Sequence, residues 1–360
     1  MRAMQQTLSC LSARAPQSAA ARARRQVAGW LLVCCALVFA MVVVGGVTRL
    51  TRSGLSIVEW EPLIGAIPPL TQADWQQLFQ EYQQTPEYRQ VNRGMSLEQF
   101  KGIFWWEYFH RVLGRLIGLV FFLPLVFFAL TGRVERALIP RLLGIFLLGG
   151  LQGAVGWWMV ASGLIDDPRV SHVRLSIHLG LAFLIFAAMF WTALDLLAGG
   201  RSDALQPPQA RLARYAGWVS ALLFVMVLSG ALVAGTRAGY AYNTFPLMNG
   251  QFFPPEYLML QPWWQNFLHN MATVQFNHRL IAWALFLLIP ALWFASRRLQ
   301  LPRNARLASN LLVAMLFAQL GLGIATLLQG VPVVLGASHQ AGALLLFALS
   351  LWTAHALRTK

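Results

Sequence analysis

Acidic residues are scarce in this chain: 13 Asp and Glu stand against 28 Lys and Arg in 360 residues, and charged residues of both signs make up only 11%. Soluble domains draw about a quarter of their residues from the charged types, so this composition cannot cover a water-facing surface. Cysteine is nearly absent as well. Cys10, Cys34 and Cys35 give no spaced pair in any outer loop, which excludes a disulfide framework and a zinc site; Cys34 and Cys35 read as small apolar helix residues. What is abundant is apolar, 57% of the chain. The net charge of +15 would suit a nucleic-acid binder only if Lys and Arg gathered on one face, and here they fall between hydrophobic runs. Nucleic acid is therefore not expected as a partner, and the lipid bilayer is.

A spanning helix needs about 20 mostly apolar residues. Eight such runs lie near 27–46, 112–130, 142–162, 175–195, 214–235, 272–295, 307–328 and 334–357. The expected fold class is thus all-α and integral to a membrane. Basic residues set the orientation. With the N-terminus inside, the inner segments hold Arg22, Arg24, Arg25, Arg133, Arg136, Arg141, Arg201, Arg211, Arg214, Arg297, Arg298, Arg303, Arg306 and Arg358, opposed only by Glu135, Asp195 and Asp203. The positive-inside rule places both termini in the cytoplasm. The first 25 residues lack Asp and Glu, which fits a bacterial cytoplasmic tail and, as the alternative, a mitochondrial transit peptide with the protein in the mitochondrial inner membrane. A bacterial cytoplasmic membrane is the preferred location.

The long outer segment near 48–106 is too polar to span. After Thr71, residues Trp75, Leu78, Phe79 and Tyr82 recur at helical spacing, with Asp74 placed to complete a capping box. An amphipathic helix lying on the membrane surface is expected there, covering a site or merely linking two spans.

The two halves of the chain echo each other. Glu107-Tyr-Phe-His110-Arg111 answers to Gln275-Phe-Asn-His278-Arg279, Gln152-Gly-Ala-Val-Gly156 to Gln319-Leu-Gly-Leu-Gly323, and Thr48-Arg49 to Thr236-Arg237. The expected organisation is a basic tail at 1–26, a four-helix bundle at 27–195 with its long outer loop at 48–106, an inner linker at 196–213, and a second four-helix bundle at 214–360. Since four helices return the chain to its starting side, the two bundles should be related by a pseudo-two-fold axis along the membrane normal.

Ionisable residues inside spans are costly and point to function. His110, His178, His278 and His339 should each lie near the outer end of an even-numbered span, two per bundle. A pair of neutral imidazoles on facing helices is the geometry that ligates heme iron from both sides, and the bundle supplies an apolar slot for the macrocycle. A lone membrane histidine more often makes an interhelical hydrogen bond; four in repeated positions favour metal ligation. His172, His269 and His355 lack the repeat and read as surface residues. Glu107 stands one turn before His110, where the second half has Gln275, so an acid accompanies only one of the two sites. Arg49 and Arg237 could pair with heme propionates or anchor to headgroups. Trp105, Trp106, Trp263 and Trp264 fit an aromatic belt, and Gln152 and Gln319 fit close helix packing with a polar bridge.

At these residues a resemblance becomes definite. The run from Gly45 through Thr48-Arg49 to Ser53-Gly54-Leu55-Ser56, then Glu107-Tyr-Phe-His110-Arg111, then Gly156-Trp-Trp-Met-Val-Ala-Ser-Gly163, then Phe276-Asn-His278-Arg279, resembles the heme A synthase family from about Val43 to the last helix. The resemblance implies oxidation of the C8 methyl of heme O to a formyl group by successive hydroxylations, giving heme A for terminal oxidases. It implies a substrate site at His110 and His178, a resident heme B on His278 and His339, and a charge-stabilising or proton-moving role for Glu107. The implied partners are heme O, an electron acceptor or donor, heme O synthase and oxidase assembly proteins. Some bacterial members carry a cysteine pair in the first outer loop. None lies between Val43 and Phe109 here, so the chain resembles the cysteine-free proteobacterial and mitochondrial branch. A non-catalytic di-heme b-type cytochrome would use the same four histidines, and a repeat-built transporter would want broken helices or charges near the midplane.

Overall fold

The computed structural model describes residues 2–59, 65, 67–199 and 207–358, with the side chains of 2–18 not described. Cys10, Glu61, Arg201, Asp203 and Lys360, and the middle of the linker expected at 196–213, therefore lie outside the described residues. Among those described, twelve α-helices and no strand occur: α1 (Arg2–Leu50), α2 (Gln72–Gln83), α3 (Pro86–Gln90), α4 (Leu97–Leu130), α5 (Ile139–Ala161), α6 (His172–Ala198), α7 (Pro207–Thr236), α8 (Ala238–Ala241), α9 (Asn266–His269), α10 (Met271–Arg297), α11 (Arg303–Leu328) and α12 (Val333–Ala356). Eight of them, α1, α4, α5, α6, α7, α10, α11 and α12, are long and apolar enough to cross a membrane. Their outward faces are apolar too, as Leu147 at 71% and Trp218 at 75% exposure illustrate. That surface is stable only in a solvent as apolar as itself.

Helices α1, α6, α7 and α12 pack on one another at the centre, α4 and α5 lie against α1 and α6, and α10 and α11 lie against α7 and α12. Residues 51–59 and 67–96, and segment 237–270, emerge at one end of the bundle, which we call the loop face. One buried apolar cluster runs through all eight helices, and its distribution along them is uneven. It takes Val27 to Val42 from α1, Phe121 to Phe128 from α4, Phe183 to Ala193 from α6, Leu212 to Val227 from α7, Leu285 to Leu292 from α10 and Leu344 to Ala356 from α12. Every one of these stretches lies on the side of the four repeated histidines that faces away from the loops. The dry core stops where the histidine level begins.

The long segment after α1 folds into a cap rather than a surface helix. Thr71 and Asp74 form the expected capping box at the start of α2. Its aromatic face, however, turns into protein: Trp75 meets Phe104 at 4.9 Å between ring centroids, and Tyr82 meets Phe100 at 5.1 Å. The partner is the first part of α4, which begins at Leu97 under a Ser96–Gln99 capping box, well before the span expected at 112–130. Glu98, Lys101 and Glu107 made that stretch too polar to read as a span. Its alternate face, Phe100, Phe104 and Tyr108, is buried by the cap. His110 accordingly sits in the fourth turn of α4 and not near its start, whereas His178, His278 and His339 fall in the second or third turn of their helices.

Phe100 is fully buried at the centre of the cap cluster. Phe100→Ala should cost about 3–5 kcal/mol of local stability. Limited proteolysis should then cut segment 67–96 much faster while helical content is unchanged; equal cutting rates would mean that the cap is held by something other than this cluster.

Candidate functional site

Each of the four repeated histidines rests on a glycine of a neighbouring helix. A Cβ built on Gly45 of α1 would stand 2.8 Å from the His110 ring, and one on Gly156 of α5 2.9 Å from His178. In the second half, Gly230 of α7 would meet His278 at 3.2 Å and Gly323 of α11 would meet His339 at 2.8 Å. Glycine is required because any side chain there would occupy the space of the imidazole. His110 lies within electrostatic reach of His178, as His278 does of His339.

Glutamine holds one member of each pair. Gln152 Nε2 donates to the His178 carbonyl at 3.0 Å and lies 3.4 Å from its Nε2; Gln319 Nε2 donates to the His339 carbonyl at 2.9 Å and lies 3.2 Å from its Nδ1. Gln152 and Gly156, like Gln319 and Gly323, are four residues apart, which puts the clamp and the seat on one helix face. The spacing was legible, but in the sequence it signalled only packing. His278 Nδ1 faces the Ser229 hydroxyl at 3.3 Å, a contact that no motif announced. The Nδ1 atoms of His110 and His178 are buried without a hydrogen-bond partner among the described residues, and a buried polar atom left so is costly. Two pairs of half-buried imidazoles, each beside an apolar core and seated on backbone, fit heme iron as a donor set.

Glu107 is buried and accepts five hydrogen bonds. Ser56 N, Ser56 Oγ and Ile57 N donate to Oε2 at 2.7, 2.8 and 3.0 Å, and Arg111 Nε and Nη2 donate to Oε1 at 3.1 and 2.7 Å. Arg111 continues to the carbonyls of Ile57 and Glu59, both at 2.8 Å. The carboxylate and guanidinium thus clasp segment 56–59 onto α4. Gln275 and Arg279 do the same in the second half: Gln275 Nε2 donates to the Tyr242 carbonyl at 2.8 Å, and Arg279 donates to the carbonyls of Tyr242, Thr244, Pro246 and Leu247. The amide replaces the acid because its loop offers a carbonyl where the first loop offers N–H groups.

Arg49 donates to the carbonyl of Ala234, tying the end of α1 to the end of α7. Arg237 follows α7 directly in the left-handed conformation, φ 60°, with its side chain exposed. Partial desolvation against the neighbouring loops lowers its pKa below the usual guanidinium range; Arg52 and Arg169 lower it further, while Tyr240 and Asp167 oppose them. A region dense in guanidinium groups attracts carboxylates.

Of the other histidines, His269 is exposed and His172 half-buried, their facing nitrogens 3.0 Å apart. His355 is not on the surface as expected. It is buried at 6% exposure, with Nε2 3.0 Å from Asp195 of α6, a partner that only packing reveals. Trp105 also departs from the aromatic belt by packing on Trp75 and Tyr108 in the cap.

One further acid is buried that no motif marks. Glu87 of α3 is 4% exposed, with the Tyr82 hydroxyl at 3.3 Å as its hydrogen-bond donor. Burial pushes its carboxyl up to about 7; the Tyr82 hydrogen bond and Arg52 oppose the rise, and the Glu107 charge adds to it.

Comparison with known proteins accords with this arrangement. The family described as cytochrome oxidase assembly protein, COX15-CtaA, matches residues 28–351. A heme A synthase of Nitrosospira multiformis is 62% identical over 335 residues, covering 93% of this chain and 94% of that protein. Heme A synthases of Nitrosomonas eutropha, 58% identical over 327 residues, and Parvibaculum lavamentivorans, 52% over 331, are covered to 92% and 94% of their own lengths and cover 91% and 92% of this chain.

Two tests follow from the geometry. Gly156→Ala and Gly323→Ala should each displace one imidazole, so the heme spectrum of the purified protein should lose the contribution of that pair alone. An unaltered spectrum in both would mean that the rings do not need these seats. For Glu87, a folded-state pKa raised above the unfolded value means that its contribution to stability is full below about pH 4.5 and is lost as pH rises through about 7. The cap should therefore loosen by up to about 3 kcal/mol between pH 5 and pH 8.5, and Glu87→Gln should flatten the change. Hydrogen exchange of α2 and α3 at the two pH values, read in both proteins, distinguishes the outcomes.

Proposed function

Because the chain belongs to the heme A synthase family of cytochrome oxidase assembly proteins, we propose that it oxidises the C8 methyl group of heme O to a formyl group, yielding heme A. It is a multi-pass membrane protein and an enzyme of heme A synthase type. The observation that carries the finer reading is the pair of imidazole pairs, each ring seated on a helix glycine at the level where the apolar core ends. Such a level is dry enough to hold a macrocycle and close enough to the loop face to keep its propionates near water and arginine.

In this reading the chain forms two four-helix units. His110 and His178 hold the substrate heme O in the first, and His278 and His339 hold a resident heme B in the second. Heme B, when bound, supplies one-electron redox chemistry between the substrate site and an external electron acceptor or donor. The residues do the rest. Gln152 and Gln319 fix the backbone of one ligand in each pair. Arg237, with Arg52 and Arg169 beside it, receives propionate, and Arg49 holds α1 against α7 behind it. Glu107 supplies a fixed negative charge one turn from His110. With all five of its bonds donated from outside, it acts by stabilising positive charge that develops on the oxidised carbon more than by taking the proton itself. With water as the oxygen source, each of two successive hydroxylations passes an electron pair to the acceptor and releases two protons, and the resulting gem-diol loses water. The loop face is the outer face of a bacterial cytoplasmic membrane, with both termini in the cytoplasm.

One observation favours a second reading. Glu107 and Gln275 perform the same clasping task, as they would in a non-catalytic di-heme b-type cytochrome.

His278→Ala or His339→Ala should remove the low-spin heme B signal, because losing one axial ligand leaves the iron high-spin or the pocket unable to retain it. Low-spin spectra unchanged in both would end this assignment. Glu107→Gln should leave that signal intact and cause heme O or a hydroxylated intermediate to accumulate in extracted pigments, with loss of activity of about 10² or more. Normal heme A content would confine Glu107 to the clasp.

A further inference from the structure

Two histidines outside the heme sites meet at the loop face from opposite halves of the chain. His172 is the first residue of α6, and His269 ends the short α9 that precedes α10. His172 Nε2 and His269 Nδ1 stand 3.0 Å apart, with ring centroids at 4.8 Å and planes at 84°. His172 lies six residues before His178, which at about 1.5 Å per residue puts it about 9 Å nearer the loop face than the proposed iron ligands. The pair is a separate constellation.

We propose that His172 and His269 form a divalent transition-metal site that bridges the two halves of the protein. Imidazole nitrogens bound to a first-row ion at about 2.0–2.1 Å stand about 2.9–3.4 Å apart when they are neighbours in the coordination sphere. The observed separation falls in that range, with one nitrogen of each ring already turned to the other. The site is also held in place. His172 cannot retreat towards α7, since its Cβ and Cα occupy the space that any side chain on Gly235 would fill. His269 is exposed, so an ion reaches the pair from water.

The ion enters in place of the proton between the two facing nitrogens. That proton moves to the other nitrogen of the ring that carried it, so both rings stay neutral and both facing nitrogens become ligands with no net proton release. Among the described residues no third His, Cys, Asp or Glu joins the group, and water completes the coordination sphere. Binding is therefore exchangeable. Neutral imidazole suits copper, nickel and zinc, and the stability order of divalent ions puts Cu²⁺ first. An ion here fastens α6 to the segment entering α10, and it stabilises the folded protein by mass action.

The test uses the purified holoprotein with its hemes in place, so that the four proposed iron ligands are occupied. Titration with Cu²⁺ should load one site whose electron paramagnetic resonance spectrum shows two nitrogen ligands, and it should raise Tm. Zn²⁺ should compete for the site and EDTA should empty it. His269→Asn, a change at an exposed position, should weaken this binding at least about tenfold and abolish the rise in Tm, with the heme absorbance unchanged. His172→Gln should do the same. Binding of Cu²⁺ with equal affinity and the same spectrum in the double variant, or no binding in the wild type, would overturn the proposal. Neither result bears on the heme reading, which rests on other residues.

Discussion

The structure turns on the difficulty of placing four imidazole rings between apolar helices. A buried ring nitrogen without a partner is costly, and a ring lying between two helices pushes them apart. The protein answers the second demand locally. Glycine opposite each ring lets the backbones stay close, and Gln152 and Gln319 tie two of the four to the next helix through the histidine's own carbonyl. The rest of the bundle is then free to be an ordinary apolar core, and Leu31, Phe183, Leu292 and Leu344 pack tightly on the far side of the histidine level.

The loop face carries the differences between the halves. Both halves fasten the segment after their first helix with a side chain and an arginine one turn apart on the next helix, yet the acid in one and the amide in the other follow from what each loop presents. Charge beside the first pair is thus joined to loop placement. The first half also carries the aromatic cap, which covers the early turns of α4 and buries a second carboxyl, Glu87. With a single phenol as donor and little water around it, the Glu87 carboxyl is pushed up to about 7 by burial, and the Glu107 charge adds to the rise.

Much of this was legible in the chain alone. Hydropathy set the eight spans, because a bilayer demands about 20 apolar residues from each, and the repeat of His110 and His178 in His278 and His339 marked the site. Thr71 and Asp74 announced α2, since a capping box is a local bargain between neighbours. Local rules also misled where a distant partner decided. The first turns of α4 are polar by composition but are helical because the cap covers Phe100 and Phe104. His355 looked superficial until Asp195 was brought beside it from a helix 160 residues away.

What the sequence by itself determined was the number of spanning helices and the placing of the repeated histidines near one end of theirs. These depend on periodicity and on the cost of polarity in lipid, which act within a segment. Only the tertiary structure decided which glycine seats which ring, that Glu107 clasps a loop, that Arg49 reaches Ala234, and that His172 and His269 meet. Each of those contacts joins residues that are far apart in the chain, and no local preference in either partner names the other. Helix packing supplies the distance, and the distance supplies the chemistry.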